Sequence, residues 1–130
     1  MNFGGLTVPL GAAEGPVRAA LAPSVADDPC ESLDDVIAEI ERGEATCWVI
    51  SEGATIRGVV VTQIVGGSKA KQCFIRHCAG EGIRDWIHYL ALIEDWARSQ
   101  GSDSIELIGR AGWERLLGWE RKAVLLRKAL

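Results

Sequence analysis

The chain has 130 residues, of which 48% are hydrophobic and 25% charged, and this composition is typical of one globular domain rather than a disordered chain. No uninterrupted apolar run reaches the ~18 residues that a transmembrane helix needs. The N-terminal residues lack a charged head followed by an apolar stretch, so no secretion signal is predicted. Basic residues alternate with acidic ones instead of forming a stripe, which argues against direct nucleic-acid binding.

The net charge of −4 is unevenly distributed along the chain. Residues 1–45 contain nine acidic residues against Arg18 and Arg42, whereas residues 46–130 contain nine acidic residues against twelve basic ones. Solvated faces with some internal pairing are the simpler interpretation, and a charged docking surface is the alternative. Five tryptophans in so small a domain favour contact with a second copy or another protein, since indoles are enriched at interfaces.

The predicted elements begin with a short apolar stretch, LTVPL, interpreted as an edge strand. A short helix, EGPVRAALAP, follows, and Pro23 is expected to end it because proline cannot continue a helix. The stretch SLDDVIAEIERG predicts a second helix, with Ser32 as N-cap, Asp35 three residues later and Gly43 at the end.

Three strand-like runs come next, at residues 45–50, 56–65 and 72–78. They are rich in β-branched residues and are separated by the turn sequences SEGAT and GGSKAK, so they predict an antiparallel meander. The four cysteines lack C-x-x-C spacing and are interpreted as reduced core thiols. They are Cys30, Cys47, Cys73 and Cys78.

Apolar residues at helical spacing predict a long central helix over residues 83–100, followed by a strand at 104–108. With the preceding strand they form a right-handed parallel strand-helix-strand unit. A short helix at 111–119 follows, and residues 123–130, AVLLRKAL, are interpreted as a last strand or helix, with the choice between the two left open. The sequence thus predicts a single α+β domain over residues 1–130, with a mixed sheet and helices on both faces. Residues 1–45 are assigned to N-terminal helices, and residues 46–130 to the sheet and central helix.

This order of elements resembles the GNAT acyltransferase fold. In that family the fourth strand ends in Gln/Arg-x-x-Gly-x-Gly/Ala, and backbone amides at the start of the next helix hold the coenzyme A pyrophosphate. The matching stretch here is HCAGEG, in which His77 takes the Gln/Arg position and Gly80, Glu81 and Gly82 follow. The resemblance implies that these four residues would bind acetyl-CoA, if the chain binds it at all.

Residues 90–119 also resemble a signature of small GNAT-like proteins of tailed phages, similar to internal virion or morphogenesis proteins of short-tailed phages. The shared features are an Ile-Glu-x-Trp-Ala-Arg helix end, a Gly-Arg-x-Gly-Trp turn and a later glycine beside an aromatic residue. The turn is interpreted as a structural or interface element in which Arg110 pairs with Glu94, Glu106 or a neighbouring subunit. Its residues are Gly109, Arg110, Gly112, Trp113, Gly118 and Trp119.

No other feature of the sequence predicts a catalytic or metal site. His77 and His88 lack a third metal ligand, and Cys78 lacks an orienting partner for a nucleophile. Glu81 is expected to cap the helix near Ile83, and its charge would repel a pyrophosphate. The only tyrosine, Tyr89, lies inside the long helix, away from the position of the family's general acid in the later helix.

Two hypotheses follow. In the first, the chain is a non-catalytic virion or assembly protein that needs no cofactor. It would be found in the virion or the infected-host cytoplasm, bound to phage structural proteins or to copies of itself. In the second, it is an acyl-CoA-dependent N-acyltransferase that uses acetyl-CoA.

Overall fold

A computed structural model describes all residues, 1–130, and contains one five-stranded sheet in the order β1-β2-β3-β4-β5. The strands from β1 to β4 pair antiparallel with their neighbours, whereas β5 runs parallel to β4. This confirms the predicted α+β fold with a mixed sheet. The strands are β1 (Asn2–Gly5), β2 (Thr46–Glu52), β3 (Thr55–Gly66), β4 (Lys71–Gly80) and β5 (Ser104–Leu107).

The helices cover both faces of this sheet, as predicted. Two of them precede β2, two form the crossover between β4 and β5, and one follows β5. Short 3-10 turns at residues 11–13 and 87–89 join some of these elements. The helices are α1 (Glu14–Ala26), α2 (Leu33–Glu41), α3 (Ile83–Trp86), α4 (Leu90–Ser99) and α5 (Ala111–Leu117).

The apolar core divides into two layers because side chains alternate across each strand. On β2, Cys47 and Val49 face α1 and α2, whereas Trp48 and Ile50 face α3 and α4. The first layer is aliphatic, and the second contains the fully buried Trp86. The sheet is therefore covered on both sides, and sites open to ligand lie at strand ends and at its edges.

The predicted start of α2 is confirmed. Ser32 accepts a hydrogen bond from the Asp35 amide, and the Asp35 carboxylate accepts one from the Ser32 amide, which completes a capping box. These bonds hold the pKa of Asp35 below its usual value. The predicted end of the first helix was wrong, since α1 continues through Pro23 to Ala26. Buried Leu21 and Val25 on either side of this exposed proline keep the last turns packed against the sheet.

The predicted helix at 83–100 is interrupted between α3 and α4. Trp86 leaves the helical conformation, with φ −128° and ψ −2°, and residues 87–89 form a 3-10 turn before the helix resumes. The indole fills a fully buried position under β3, and this packing outweighs continuous helical hydrogen bonding.

Two further expectations were wrong. The edge strand is formed by residues 2–5 rather than by LTVPL, of which Leu6 alone bonds to β2, through its amide and the Cys47 carbonyl. The open last element is neither strand nor helix, since residues 118–130 have no regular secondary structure. No helix in the structure combines the length and apolar character required to cross a membrane.

Candidate functional site

A β-bulge interrupts β4 near its C-terminal end. His77 pairs with Val61 and Ile75 pairs with Thr62, so Arg76 lies between them without a partner on β3. A bulge places two successive side chains on the same side of the sheet. Arg76 and His77 both extend toward α1 and α2 as a result.

Beyond the bulge, β4 separates from β5. The last pair between the two strands joins Ile75 to Leu107, although β4 continues for five more residues. On the other side, the Glu81 amide still donates to the Arg57 carbonyl of β3, at 3.1 Å. Hydrogen bonds alternate along an antiparallel pair, so the backbone N–H and C=O of Cys78 face the side that β5 has left. A gap with unpaired strand backbone thus opens at this end of the sheet.

The loop at this end of the gap packs so close to β3 that glycine is required at the points of contact. Gly80 has φ 144°, and a Cβ there would lie 2.2 Å from the Arg57 carbonyl oxygen. Opposite it, a Cβ on Gly58 would lie 2.6 Å from the Trp86 ring. The same indole donates a hydrogen bond to the Glu81 carbonyl, at 2.9 Å. Gly80 therefore packs directly against the β3 backbone, and Trp86, which itself packs on Gly58 of β3, holds the Glu81 backbone beside it.

Gly82, in the left-handed conformation at φ 62°, begins α3 without any side-chain cap. The prediction that Glu81 caps this helix was wrong, because its exposed carboxylate makes no hydrogen bond there. In the first turn of α3 the Asp85 amide donates to the Gly82 carbonyl at 2.9 Å, whereas the amides of Ile83 and Arg84 have no carbonyl partner within the helix. The guanidinium of Arg57 lies against Gly82, 3.4 Å from Glu52 and 3.9 Å from Asp85, so its charge is shared between two carboxylates.

An ionic cluster lies on the α1 and α2 side of the bulge. Arg76 donates to the carboxylates of Glu31 and Glu39, and although burial opposes the charge, these two partners raise the pKa of Arg76. His77 is 5% exposed, with Nε2 3.2 Å from Glu31 and Nδ1 2.8 Å from the Ser24 hydroxyl. Because a carboxylate oxygen can only accept, Nε2 donates to Glu31, and the Ser24 hydroxyl is hydrogen-bonded to Nδ1. His77 is thus turned away from the glycine loop.

The cluster opens into a pocket of about 400 Å³ between α2 and β4. Four carboxylates and two guanidinium groups line it, so its lining is net negative. The residues are Asp28, Cys30, Glu31, Asp35, Ala38, Glu39, Arg42 and Arg76. A second groove, of about 460 Å³, runs between α1 and the ends of β3 and β4 and reaches Gly80 and Glu81.

Other candidate groups lie away from the gap or are unreactive. Burial raises the pKa of the Cys78 thiol to about 12, so it is not a thiolate nucleophile at neutral pH. All four cysteines are free, and Cys30 is exposed rather than in the core. The Tyr89 hydroxyl donates to the Met1 carbonyl at 2.9 Å, beside β1 at the opposite edge of the sheet. No group of three or more His, Cys, Asp or Glu side chains is arranged to hold a metal ion.

The second glycine turn, after β5, packs an indole directly against a glycine. Trp113 lies against Gly109, where a Cβ would be 2.6 Å from the indole, and Gly118 ends α5 at φ 68°. Gly112 has open space around it, so close packing does not require a glycine there. Arg110 lies 3.7 Å from Asp27 instead of pairing with Glu94 or Glu106 within the chain. Leu117 and Trp119 reach the α3 and α4 core layer, although no residue of α5 is fully buried.

The structure brings Gly80, Glu81 and Gly82 together in one loop beside the gap, but it directs the His77 side chain elsewhere. The partners that complete the site carry no signal in the sequence near the loop. Arg57 lies near the start of β3, Glu31 in the loop before α2 and Glu39 on α2. All three are far from the glycine loop in sequence. The one local signal near these residues is Gly58. A glycine in a strand interior marks the close approach of another group.

No protein-family model matches the chain, and no curated protein matches it in sequence. Its fold, however, is that of the GNAT acetyltransferases, as similarity to solved structures shows. A predicted acetyltransferase of Clostridium acetobutylicum, solved with acetyl-CoA, is 10% identical at a TM-score of 0.71 over 98% of this chain and 95% of that one. The glucosamine-6-phosphate N-acetyltransferase of Arabidopsis thaliana is 14% identical at 0.71 over 99% of both chains. The ribosomal-protein-alanine N-acetyltransferase of Brucella melitensis is 9% identical at 0.69 over 98% and 99%.

Proposed function

We propose that the chain binds an acyl-coenzyme A in the gap between β4 and β5 and transfers its acyl group to an amine. One observation carries the proposal: beyond Ile75, β4 keeps an unpaired backbone edge that leads directly into the Gly80–Gly82 loop. This favours the acyltransferase hypothesis over the non-catalytic one.

The chemistry of acyl-coenzyme A, the acyl donor, suits both the unpaired edge of β4 and the Gly80–Gly82 loop. Its pantetheine arm contains two amides, which can pair with an exposed strand edge as an added strand would. The unpaired N–H and C=O of Cys78 supply such an edge. At its other end the donor carries phosphates, and these suit a glycine loop in which the Ile83 and Arg84 amides are still free to donate. Arg57 lies beside Gly82 within reach of a phosphate, although it is shared with Asp85 and Glu52 and does not pair with Glu81.

The amine is proposed to enter from the pocket between α2 and β4. Arg76 marks the point where β4 leaves β5 and also lines this pocket, so the two reactants would meet at the bulge. The net negative lining favours a cationic ammonium group. We assign removal of its proton to Glu31, acting directly or through water, because this carboxylate lines the pocket with His77 and Ser24 behind it.

In the transfer, the neutral amine attacks the thioester carbonyl carbon, a C–N bond forms, the C–S bond breaks and the nitrogen releases one proton to water. Tyr89 is bonded to Met1 at the far edge of the sheet and does not supply the proton that the sulfur then takes up. A thiol has a pKa of about 8.5, so a thiolate can leave and be protonated by water. Lack of a dedicated general acid would cost about 10²–10⁴-fold in rate, which predicts a slow enzyme.

The virion role rests on the sequence resemblance alone. The structural neighbours named above are acetyltransferases, and none of them is a phage protein. A virion or assembly function therefore stays a prediction, to be tested by mass spectrometry of purified particles.

The acyltransferase is tested by incubating the protein with acetyl-CoA and a panel of amines and measuring free thiol release. Gly82→Ala should reduce turnover, because the added Cβ would press against Arg57 and Asp85. Gly53→Ala is the matched control: Gly53 has a similar φ of 61° but lies in the β2–β3 turn with open space around it. Release that is absent in the wild type, or equal in the two variants, would overturn the proposal.

A further inference from the structure

Three side chains at the contact of α1 with β4 form a line of hydrogen bonds. The Ser24 hydroxyl lies 2.8 Å from Nδ1 of His77, and Nε2 of His77 lies 3.2 Å from a carboxylate oxygen of Glu31. The other oxygen of Glu31 accepts from Arg76, which also bonds to Glu39, so the carboxylate is fixed in place. The line therefore ends at an anchored anion on one side and at a hydroxyl on the other.

This order of groups is that of an activated serine. A nucleophilic hydroxyl needs a base to take its proton and a third group to orient that base. Nε2 donates to Glu31, so in the neutral imidazole Nδ1 has its lone pair directed at Ser24 and can accept the hydroxyl proton. In serine proteases the two ring nitrogens have the opposite partners. Both nitrogens lie in the plane of the ring, so this exchange leaves each role filled.

The hydroxyl lies at the end of the groove between α1 and the ends of β3 and β4. Ala20 of α1 and Ala79 of β4 line this groove. Ser24 lies one helical turn after Ala20 on the same face of α1, and His77 lies two residues before Ala79 on the same face of β4. Ser24 is half-buried, whereas His77 behind it is buried. A molecule in the groove would therefore meet the hydroxyl before the imidazole.

The lining of the groove indicates what kind of molecule fits it. Alanine, proline and isoleucine side chains form most of this lining. Its two charged residues, Arg57 and Glu81, have opposite signs and lie at the end that reaches the glycine loop. The groove therefore suits an uncharged, apolar acyl group, unlike the net negative pocket on the other side of Glu31.

We propose that Ser24 is a nucleophile that takes an acyl group from an ester or thioester bound in this groove. Its Oγ attacks the carbonyl carbon as the hydroxyl proton passes to Nδ1 of His77. The C–O or C–S bond to the leaving group then breaks, and the leaving group takes that proton, which leaves an acyl ester on Ser24. Water hydrolyses this ester by the same steps and restores the hydroxyl. The activity needs neither the gap between β4 and β5 nor an amine, so it is independent of the proposed amine transfer.

A fluorophosphonate probe tests this, because an activated serine attacks it and stays covalently labelled. Labelling needs one attack and no turnover, which suits a serine whose own amide is bonded within α1 and cannot stabilise an oxyanion. The protein should gain one label, mapped to Ser24 by peptide mass spectrometry. Ser24→Ala should abolish the label, and His77→Gln should slow labelling by about 10²-fold or more. Ser99→Ala, at an exposed serine on α4, is the matched control and should be labelled like the wild type.

Hydrolysis of p-nitrophenyl butyrate is the second readout and should rank the variants in the same order. Circular dichroism melting shows which variants are folded at the assay temperature. If His77→Gln is unfolded, Glu31→Gln takes its place, since it keeps the side-chain size but removes the charge that orients the imidazole. Three results would overturn the proposal: no label on the wild type, a label on another residue, or wild-type labelling of the folded His77→Gln or Glu31→Gln variant.

Discussion

The two parts of β4 belong to one strand but have different surroundings. Residues 72–75 are paired on both sides, with β3 and β5, whereas residues 77–80 are paired with β3 alone and Arg76 bulges out between the two parts. The first part is sheet interior and stabilises the fold. The second part keeps a free backbone edge, which runs from the Arg76 bulge to the Gly80–Gly82 loop. The difference shows that this site is made by ending a strand pair early rather than by adding a loop.

The largest effect is expected from the residue that holds the second part of β4 in place. Trp86→Ala removes a fully buried indole and its hydrogen bond to the Glu81 carbonyl. We expect the free energy of unfolding in urea to fall by about 3–5 kcal/mol. Trp86→Phe should fill much of the space and cost less, so equal losses in the two variants would contradict this role.

A smaller effect is expected when the loop itself is strained. Gly80→Ala must hold a side chain at φ 144° and place its Cβ 2.2 Å from the Arg57 carbonyl oxygen. The backbone conformation alone should cost about 1–3 kcal/mol in the free energy of unfolding. Gly67→Ala, with nothing within 4 Å of its added Cβ, is the control and should change stability little. Similar melting temperatures for the two variants would show that the loop tolerates a side chain.

The surroundings of Trp86 and Gly80 also show which features can be predicted from the sequence and which cannot. The period-two alternation of β2 to β4 and the capping box at Ser32 predict the meander and α2 because both signals are local. The bulge at Arg76 has no local signal, since the extra residue is defined only by its register with β3. The break at Trp86 likewise depends on a glycine far away in sequence, Gly58. The partners that complete the site come from elements distant in sequence, so residue spacing within one element could not predict them.

The smallest effect concerns the two thiols of β4, one in each part. Burial raises the pKa of Cys73 to about 11 and that of Cys78 to about 12. Thiols in the unfolded chain ionise near pH 8.5, so the folded state holds these protons more tightly and loses stability as pH rises above that value. Between about pH 8 and pH 9.5 each buried thiol should lower the free energy of unfolding by about 1 kcal/mol.

Urea unfolding at these two pH values checks this under reducing conditions. Cys78→Ala should remove its share of the decrease, whereas Cys30→Ala, at an exposed position, should leave the decrease unchanged. If Cys78→Ala behaved like Cys30→Ala, the side chains of the second part of β4 would be open to water, and not only its backbone edge.

Titration of the isotope-labelled protein with acetyl-CoA, followed through its backbone amide NMR signals, tests the central claim most directly. We predict saturable shifts of the Cys78 amide and of the amides of residues 80–84, with little change at residues 72–74 of the same strand. Shifts that are absent at millimolar acetyl-CoA, or that fall outside the gap and its loop, would contradict an acyl-CoA site at the end of β4.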